Sequence, residues 1–192
     1  TEIAEFVKKD DPAVVLSAPV FTQERGSIRN LCEYAKLCNA LPNVDFFIRN
    51  VNIQDEGISF ENKDVNVFFA ALLHMTKHVQ AGLVNPEKLE HVLKLAEILA
   101  GGAEELRQNP LVSFIACVIK SPLQMVEDTT DKVIRIAQKG IPLVISSSPQ
   151  GGSTAPIREE GMVAMINAEI LTGITLTQLV NPGTPVLYGA VP

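Results

Sequence analysis

Short apolar runs alternate with longer amphipathic stretches along most of the chain. Five of the runs predict strands, because each is flanked by turn residues and carries hydrophobic residues at nearly consecutive positions. Such hydrophobicity is typical of parallel strands that are buried on both faces. The predicted strands are residues 44–51, 77–83, 111–119, 141–147 and 185–191, and a sixth run, 14–21, is either a further strand or a lead-in segment.

The stretches between the strands carry hydrophobic residues at the i, i+3, i+4, i+7 spacing of an amphipathic helix. Asn85 is a predicted N-cap with Pro86 in the first turn, and the pair Gly101-Gly102 is the predicted end of the same helix. Gly173 is a position at which the last helix could divide into two. The predicted helices are 27–40, 63–75, 86–100, 127–138 and 157–180.

This alternation predicts an α/β fold of successive βα units, with parallel strands and right-handed crossovers. A TIM-type (β/α)8 barrel needs eight strands and typically about 250 residues, whereas this chain has 192 residues. We therefore predict a partial TIM-type barrel of about five consecutive βα units, as a segment of a longer chain. Residues 1–192 would form a single domain, with 1–26 as its lead-in segment and 27–192 as the successive units. A self-contained open α/β sheet, such as a doubly wound one, is the alternative.

Composition narrows the functional classes. The net charge of −6 and the pI near 5.1 argue against nucleic acid and anionic membranes as partners. No uninterrupted apolar run reaches the roughly 18 residues that a spanning helix needs, so no membrane association is expected. The three cysteines, Cys32, Cys38 and Cys117, show no CxxC spacing, which favours a reducing, cytoplasmic location.

Parallel α/β folds place their functional groups at the carboxyl ends of the strands and in the loops that follow. In the loop after the fourth predicted strand, adjacent glycines permit close approach of a ligand, and the following helix N-terminus favours an anion. The loop lacks both the GxxxxGK[ST] and the GxGxxG pattern, which argues against a nucleotide site. An ordinary polar loop remains an alternative. The candidate binding residues are Asn50, Gln80, Ser148, Gln150, Gly151, Gly152, Ser153, Thr154 and Tyr188.

No catalytic residue can be named from the sequence. The patterns GxSxG and HExxH are absent. His74 and His78 have the i, i+4 spacing of a helical metal pair, but His78 falls in a predicted strand and no acidic or cysteine partner lies nearby, so no metal site is predicted. A reaction whose nucleophile is supplied from outside the chain agrees with these absences.

The C-terminal third carries a specific resemblance. Its elements are Gly-Ser-Thr-Ala-Pro at 152–156, Asn-Ala-Glu at 167–169, Gln-Leu at 178–179, Pro-Gly-Thr-Pro-Val at 182–186 and Tyr-Gly at 188–189. Together they resemble the trimethylamine methyltransferase family, which includes glycine betaine and related quaternary-amine methyltransferases. A weaker likeness extends upstream through residues 18–30, 40–47 and 77–82.

The resemblance implies a TIM-type barrel of about twice this length or more. It also implies an enzyme that passes a methyl group from a small methylated amine to the Co(I) centre of a corrinoid carried by a partner protein, with no cofactor bound directly. Tyr188 would offer an aromatic face to the cation. We also expect a homo-oligomer. Trimethylamine-specific members use pyrrolysine at a position that the resemblance places beyond Pro192, so the amine stays open.

Two other functions remain open at the level of sequence. The first is a self-contained α/β binding module that holds a small anion at the loop 147–154 without catalysis. The second is a structural segment that associates through its open edge strands.

Overall fold

The computed structural model describes residues 25–190, so the predicted run 14–21 and nearly all of the lead-in segment 1–26 lie outside the described residues. The described part is an alternation of helices and strands, as the periodicity predicts. Its helices are α1 (Ile28–Ala40), α2 (Lys63–His74), α3 (Leu89–Ala100), α4 (Ala103–Gln108), α5 (Glu127–Gln138) and α6 (Glu159–Val180). Its strands are β1 (Phe46–Ile48), β2 (His78–Gly82), β3 (Val112–Ala116), β4 (Ile119–Lys120), β5 (Gln124–Met125), β6 (Leu143–Ser147) and β7 (Val186–Ala190).

Five of the strands form one parallel sheet in the order β1-β2-β3-β6-β7. The sheet curls into a half-barrel. Each strand lies beside the next one along the chain, and only the antiparallel pair β4–β5 is inserted between β3 and β6. A doubly wound sheet reverses its strand order at a switch point, and this sheet has no reversal. The described strands therefore have the sequential order of a singly wound α/β fold.

The predicted elements are confirmed, whereas several of their boundaries are wrong. The first predicted strand shortens to β1, and the third, 111–119, covers β3, a two-residue interruption at 117–118 and the first residue of β4. The helix α4 was not predicted, because its six residues are too few for a periodic pattern. Gly101 and Gly102 end α3 as expected, with φ angles of 91° and 151° that favour glycine.

Helix α6 runs unbroken through Gly173, so the glycine serves close packing rather than a break. A Cβ built at this position would lie 2.5 Å from Ile145 Cγ2 and 3.2 Å from Val118 Cγ2. Both partners are buried, and the methyl of a β-branched side chain cannot swing away at little cost. Gly173 therefore allows α6 to approach β6 at a distance that any larger residue would prevent.

We expect Gly173→Ala to lower the free energy of unfolding by about 1–3 kcal/mol, because the overpacking exceeds the gain in helix propensity. Gly57→Ala is the matched control, since a Cβ at Gly57 has no neighbour within 4 Å; it should change stability by less than about 0.5 kcal/mol. Urea denaturation of the full-length protein measures both. Equal midpoints for the two variants would contradict the close contact between α6 and β6.

The two faces of the sheet differ in what covers them. On the convex face, the side chains of Phe47, Val79, Phe114, Leu143 and Ile145 are buried beneath the helices and form the centre of the core. The register of the strands places the alternate residues on the concave face. There Phe46, Ile48 and Leu187 are about half exposed. The concave face is the surface that would line the interior of a closed barrel.

Among residues 25–190, α6 alone has the length and apolarity of a membrane-crossing helix, with mean hydropathy 1.4. The absence of long uninterrupted apolar runs did not predict such a helix, because polar residues are interspersed along α6. Ile166, Ile170 and Gly173 lie buried along one side of α6, which contacts β6 and β7. That is the position of a covering helix in an α/β fold.

Candidate functional site

The concave face carries polar side chains at its centre. Gln80 and Ser113 lie opposite each other on β2 and β3 and are buried, and Ser146 on β6 is also buried. An inner pocket of about 420 Å³ lies toward the amino ends of the strands, lined by Asp45, Phe46, His78, Gln80, Ser113 and Leu187 together with three prolines that precede strands. Within residues 25–190, the side-chain amide of Gln80 forms no hydrogen bond. Of the predicted binding residues, Gln80 alone lines this pocket.

His78 is held in the inner pocket by both ring nitrogens. Nδ1 lies 2.9 Å from the carbonyl oxygen of Pro110, and Nε2 lies 2.7 Å from Ser113 Oγ. Because a carbonyl oxygen only accepts, Nδ1 carries a proton, and in the neutral ring Nε2 accepts from the serine hydroxyl. His74 lies at the end of α2 and His78 at the start of β2, so the two do not share a helix. Within residues 25–190, no group of three or more His, Cys, Asp or Glu side chains is placed to hold a metal.

Asn50 lies in a separate polar pocket at the carboxyl end of β1. This pocket has a volume of about 490 Å³ and is lined by Arg25, Gly26, Asn30, Tyr34, Asn50, Val51, Asn52 and Gln54. Side-chain amides predominate in it, so it offers both donors and acceptors. Since β2 and β3 lie between β1 and β6, Asn50 and the loop after β6 lie at distant points of the same edge.

The loop after β6 satisfies most of its own backbone donors. The amides of Ser153, Thr154 and Ala155 all donate to the carbonyl oxygen of Gln150 at 3.0 Å, and the amide of Gly152 donates to Ala155 at 2.9 Å. Gly152 has a φ angle of 78°, which explains the glycine there. Two acidic residues occupy the first turn of the following α6. These contacts and charges leave an anion few donors, while the side chains of Ser148 and Gln150 remain exposed.

A buried carboxylate ties this loop to its neighbour. Glu169 of α6 is 2% exposed and lies on the buried side of the helix. Its Oε2 accepts from Ser121 Oγ at 2.8 Å and from the hydroxyl of Ser147, and its Oε1 accepts from the backbone amide of Leu123 at 3.0 Å. Ser121 and Leu123 lie in the turn between β4 and β5, within the connection that follows β3, and Ser147 ends β6. The three bonds therefore join the β4–β5 turn to the carboxyl end of β6.

A second buried carboxylate anchors the segment that follows β2. Asp64, in the first turn of α2, is 2% exposed. Its carboxylate accepts from the amide of Val84 at 3.0 and 2.9 Å and from the amide of Asn85 at 2.6 Å. Desolvation raises the pKa of Asp64 above its ordinary value, although the two backbone hydrogen bonds and the charges of Arg49 and Lys132 act to lower it.

The thiol of Cys117 lies in the same region, directly after β3. The residue as a whole is exposed, but partial desolvation of the thiol raises its pKa, and the nearby charge of Glu169 raises the pKa further. The net shift is upward, so the thiol is protonated at neutral pH. This does not suit a nucleophile, which needs the thiolate.

Several polar residues of the family-like segment have structural contacts. The amide of Gln178 donates to the carbonyl oxygen of Thr184 at 2.8 Å and accepts from the backbone amide of Gly183 at 2.9 Å. Asn181 donates to the carbonyl oxygen of Ala137 at 2.8 Å. These bonds fix the connection from α6 to β7 and attach it to α5.

Tyr188 lies on the convex face of β7, on the opposite side from the inner pocket. Its hydroxyl donates to Asn167 Oδ1 on α6 at 3.2 Å, and the side chain is about half exposed. The structure thus places Gln80 on the concave face, Asn50 and the loop 148–154 at the carboxyl edge, and Tyr188 on the convex face. It does not bring all of the predicted binding residues into one pocket.

Sequence reasoning missed Glu169 and Asp64 as site-forming residues. Each stands at a position of helical periodicity otherwise occupied by buried residues: Ile166, Ile170 and Gly173 follow the same side of α6 as Glu169. A carboxylate in a buried stripe must find hydrogen-bond donors. The sequence signal is therefore an acidic residue at a position that helical periodicity predicts to be buried.

Comparisons with known proteins agree with the resemblance. A family model described as trimethylamine methyltransferase (MTTB) matches residues 15–192. The trimethylamine methyltransferase MttB of Desulfitobacterium hafniense (strain DSM 10664 / DCB-2) is 34% identical over 163 residues, 84% of this chain and 32% of the relative. The trimethylamine methyltransferase MttB of Methanosarcina thermophila is 31% identical over 165 residues, which are 84% of this chain and 33% of the relative. The glycine betaine methyltransferase of Desulfitobacterium hafniense (strain Y51) is 28% identical over 170 residues, which are 88% of this chain and 35% of the relative. The chain spans about a third of the length of these relatives.

Proposed function

The chain belongs to the trimethylamine methyltransferase family, and on this premise we propose that the full-length protein transfers a methyl group from a tertiary or quaternary methylated amine to the Co(I) centre of a corrinoid carried by a partner protein. The observation that carries the proposal is the match of the family model across residues 15–192. Relatives named for trimethylamine and for glycine betaine both match, so the proposed substrates are amines of these two kinds.

The chemistry needs a cationic methyl donor and a strong nucleophile. Cobalt supplies both electrons of the new cobalt–carbon bond, and the electron pair of the broken carbon–nitrogen bond stays on nitrogen. A quaternary ammonium therefore leaves as a neutral amine, and trimethylamine does so when it reacts as its protonated form. Because no proton has to be removed in the transfer step, the enzyme contributes chiefly by holding and aligning the two reactants.

We assign the amine to the carboxyl edge of the half-barrel, which is the functional edge of parallel α/β folds. The loop after β6 presents the side chains of Ser148 and Gln150, whose oxygen atoms suit a cation. Gln80, midway along β2, would line the concave interior beneath this edge. The corrinoid would approach this edge from outside, and we propose that the complete fold is a TIM-type barrel in a cytoplasmic homo-oligomer.

The anion-binding module is the weaker proposal. The backbone amides of Gly152, Ser153, Thr154 and Ala155 already donate to carbonyl oxygens of the same loop, so they are not available to an anion. The acidic first turn of α6 opposes an anion further.

The test is methyl transfer by the purified full-length protein. We expect it to methylate a corrinoid protein of the same organism, reduced to Co(I), when trimethylamine, glycine betaine, carnitine or proline betaine is supplied, with the spectral change from Co(I) to methyl-Co(III) as the readout. Heat-inactivated enzyme is the control for transfer without catalysis. Absence of transfer from all four amines would overturn the proposal.

A further inference from the structure

Glu169 has an environment that neither solvation nor ion pairing explains. It is 2% exposed, and none of the ion pairs formed among residues 25–190 includes it. A buried carboxylate without a cation is costly unless several donors converge on it. Here three donors do so, and each comes from a loop or strand end rather than from α6 itself.

The three donors belong to two different segments of the carboxyl edge. Ser121 and Leu123 lie in the segment 121–126, which consists of the turn after β4, strand β5 and Val126, within the connection that follows β3. Ser147 is the last residue of β6, and the exposed Ser148 and Gln150 follow it within three residues. The backbone amide of Leu123 can only donate, and serine hydroxyls can rotate to donate. Removing the acceptor would release both segments at once.

We propose that Glu169 is a positioning residue that fixes the loops after β3 and β6 for binding of the methylated amine. This inference rests on the proposed function and deepens it. Glu169 does not touch the amine in this arrangement. It acts through Ser147, whose neighbours Ser148 and Gln150 face the substrate.

A positioning role for Glu169 predicts different effects for its glutamine and alanine variants. In Glu169→Gln, the amide oxygen can accept from Leu123 and the amide nitrogen can donate to the serine hydroxyls, so both segments stay in place. Glu169→Ala loses every contact. We expect the alanine variant to raise the KM for the amine about tenfold with kcat within twofold, because weaker substrate holding removes uniform binding. The glutamine variant should stay within twofold of the wild type in both constants.

Hydrogen exchange of the full-length protein without substrate gives a readout that does not depend on activity. Glu169→Ala should exchange the amides of 121–126 and 148–156 at least tenfold faster than the wild type, and Glu169→Gln should not. Glu159→Gln is the matched control, since Glu159 is an exposed residue of the same helix. If Glu169→Ala does not fold, Ser147→Ala replaces it; this variant should accelerate exchange in 148–156 and raise the KM severalfold.

The outcomes separate the inference from the proposed function. Unchanged exchange in both segments overturns the positioning role, whatever the activity. A glutamine variant as impaired as alanine overturns it too, because the charge rather than the contact would then matter. A fall in kcat at unchanged KM would indicate loss of folded enzyme and also overturns it. If the wild type transfers no methyl group, the proposed function fails, and the exchange of Glu169→Ala and Glu169→Gln still decides whether Glu169 holds the two segments.

Discussion

Replacing Phe114 by alanine is expected to lower the free energy of unfolding by about 3–5 kcal/mol. Phe114 lies at the centre of β3 and is fully buried. Its ring centroid lies 5.2 Å from that of Phe68 on α2, at an interplanar angle of 54°, a geometry in which aromatic pairs attract beyond their area of contact. Truncation removes this pair and leaves a cavity between the sheet and its covering helix.

Graded variants and an exposed phenylalanine test the origin of this loss. Phe114→Leu should cost clearly less than alanine, because leucine fills part of the volume. Phe60→Ala is the control, since Phe60 is 70% exposed, and it should change stability by less than about 0.5 kcal/mol. Equilibrium urea unfolding of the full-length protein measures the three. A loss below about 1 kcal/mol for Phe114→Ala would mean that β3 and α2 do not share a packed core.

The buried convex face of the sheet was predictable because it depends on local periodicity. Phe114 stands in an apolar run whose neighbours are all hydrophobic or small, and such a run is typical of a parallel strand covered on both faces. The same reasoning predicted α5 at its observed bounds. It failed to separate β3 from β4, because hydrophobic residues continue through the interruption at Cys117 and Val118, and periodicity alone does not show where a strand ends.

The site was harder to predict because its residues meet through contacts that are distant in sequence. Glu169 contacts Ser121, 48 residues away, and Asp64 contacts Val84, 20 residues away. Tyr188 illustrates a different limit. The rule that functional groups follow strand ends selects a position along the chain, but the face is set by alternation within the strand. The register places Tyr188 on the convex face, which the rule could not show.

The position of Asp64 leads to the second large effect. Asp64→Ala should lower the free energy of unfolding by about 3 kcal/mol, because the partly buried backbone amides of Val84 and Asn85 both lose their acceptor. These amides begin the connection from β2 to α3, where Asn85 caps the next helical turn through the amide of Glu87. The loss should therefore appear as faster hydrogen exchange at Val84 and Asn85 as well as in the urea midpoint of the full-length protein.

A comparison with Asp64→Asn separates the charge from the contact. Desolvation raises the pKa of Asp64 in the folded protein above its ordinary value of 3.8. The native state therefore binds the proton more tightly than the unfolded state between pH 3.8 and the raised pKa, and stability falls as the pH rises through that window. Because asparagine does not titrate, the stability of the wild type relative to Asp64→Asn should be larger at acidic pH than at neutral pH.

Asp128→Asn is the control for this pH dependence, because Asp128 is an exposed residue of α5 that pairs with Lys132. Its effect on stability should be within about 0.5 kcal/mol at neutral pH. Two results would contradict the assignment of Asp64. Unchanged exchange at Val84 and Asn85 in Asp64→Ala would show that the carboxylate does not hold the connection between β2 and α3. A wild type that loses stability relative to Asp64→Asn on acidification would show that hydrogen bonding to the ionised carboxylate outweighs its desolvation, so that the shift of the Asp64 pKa has the opposite sign.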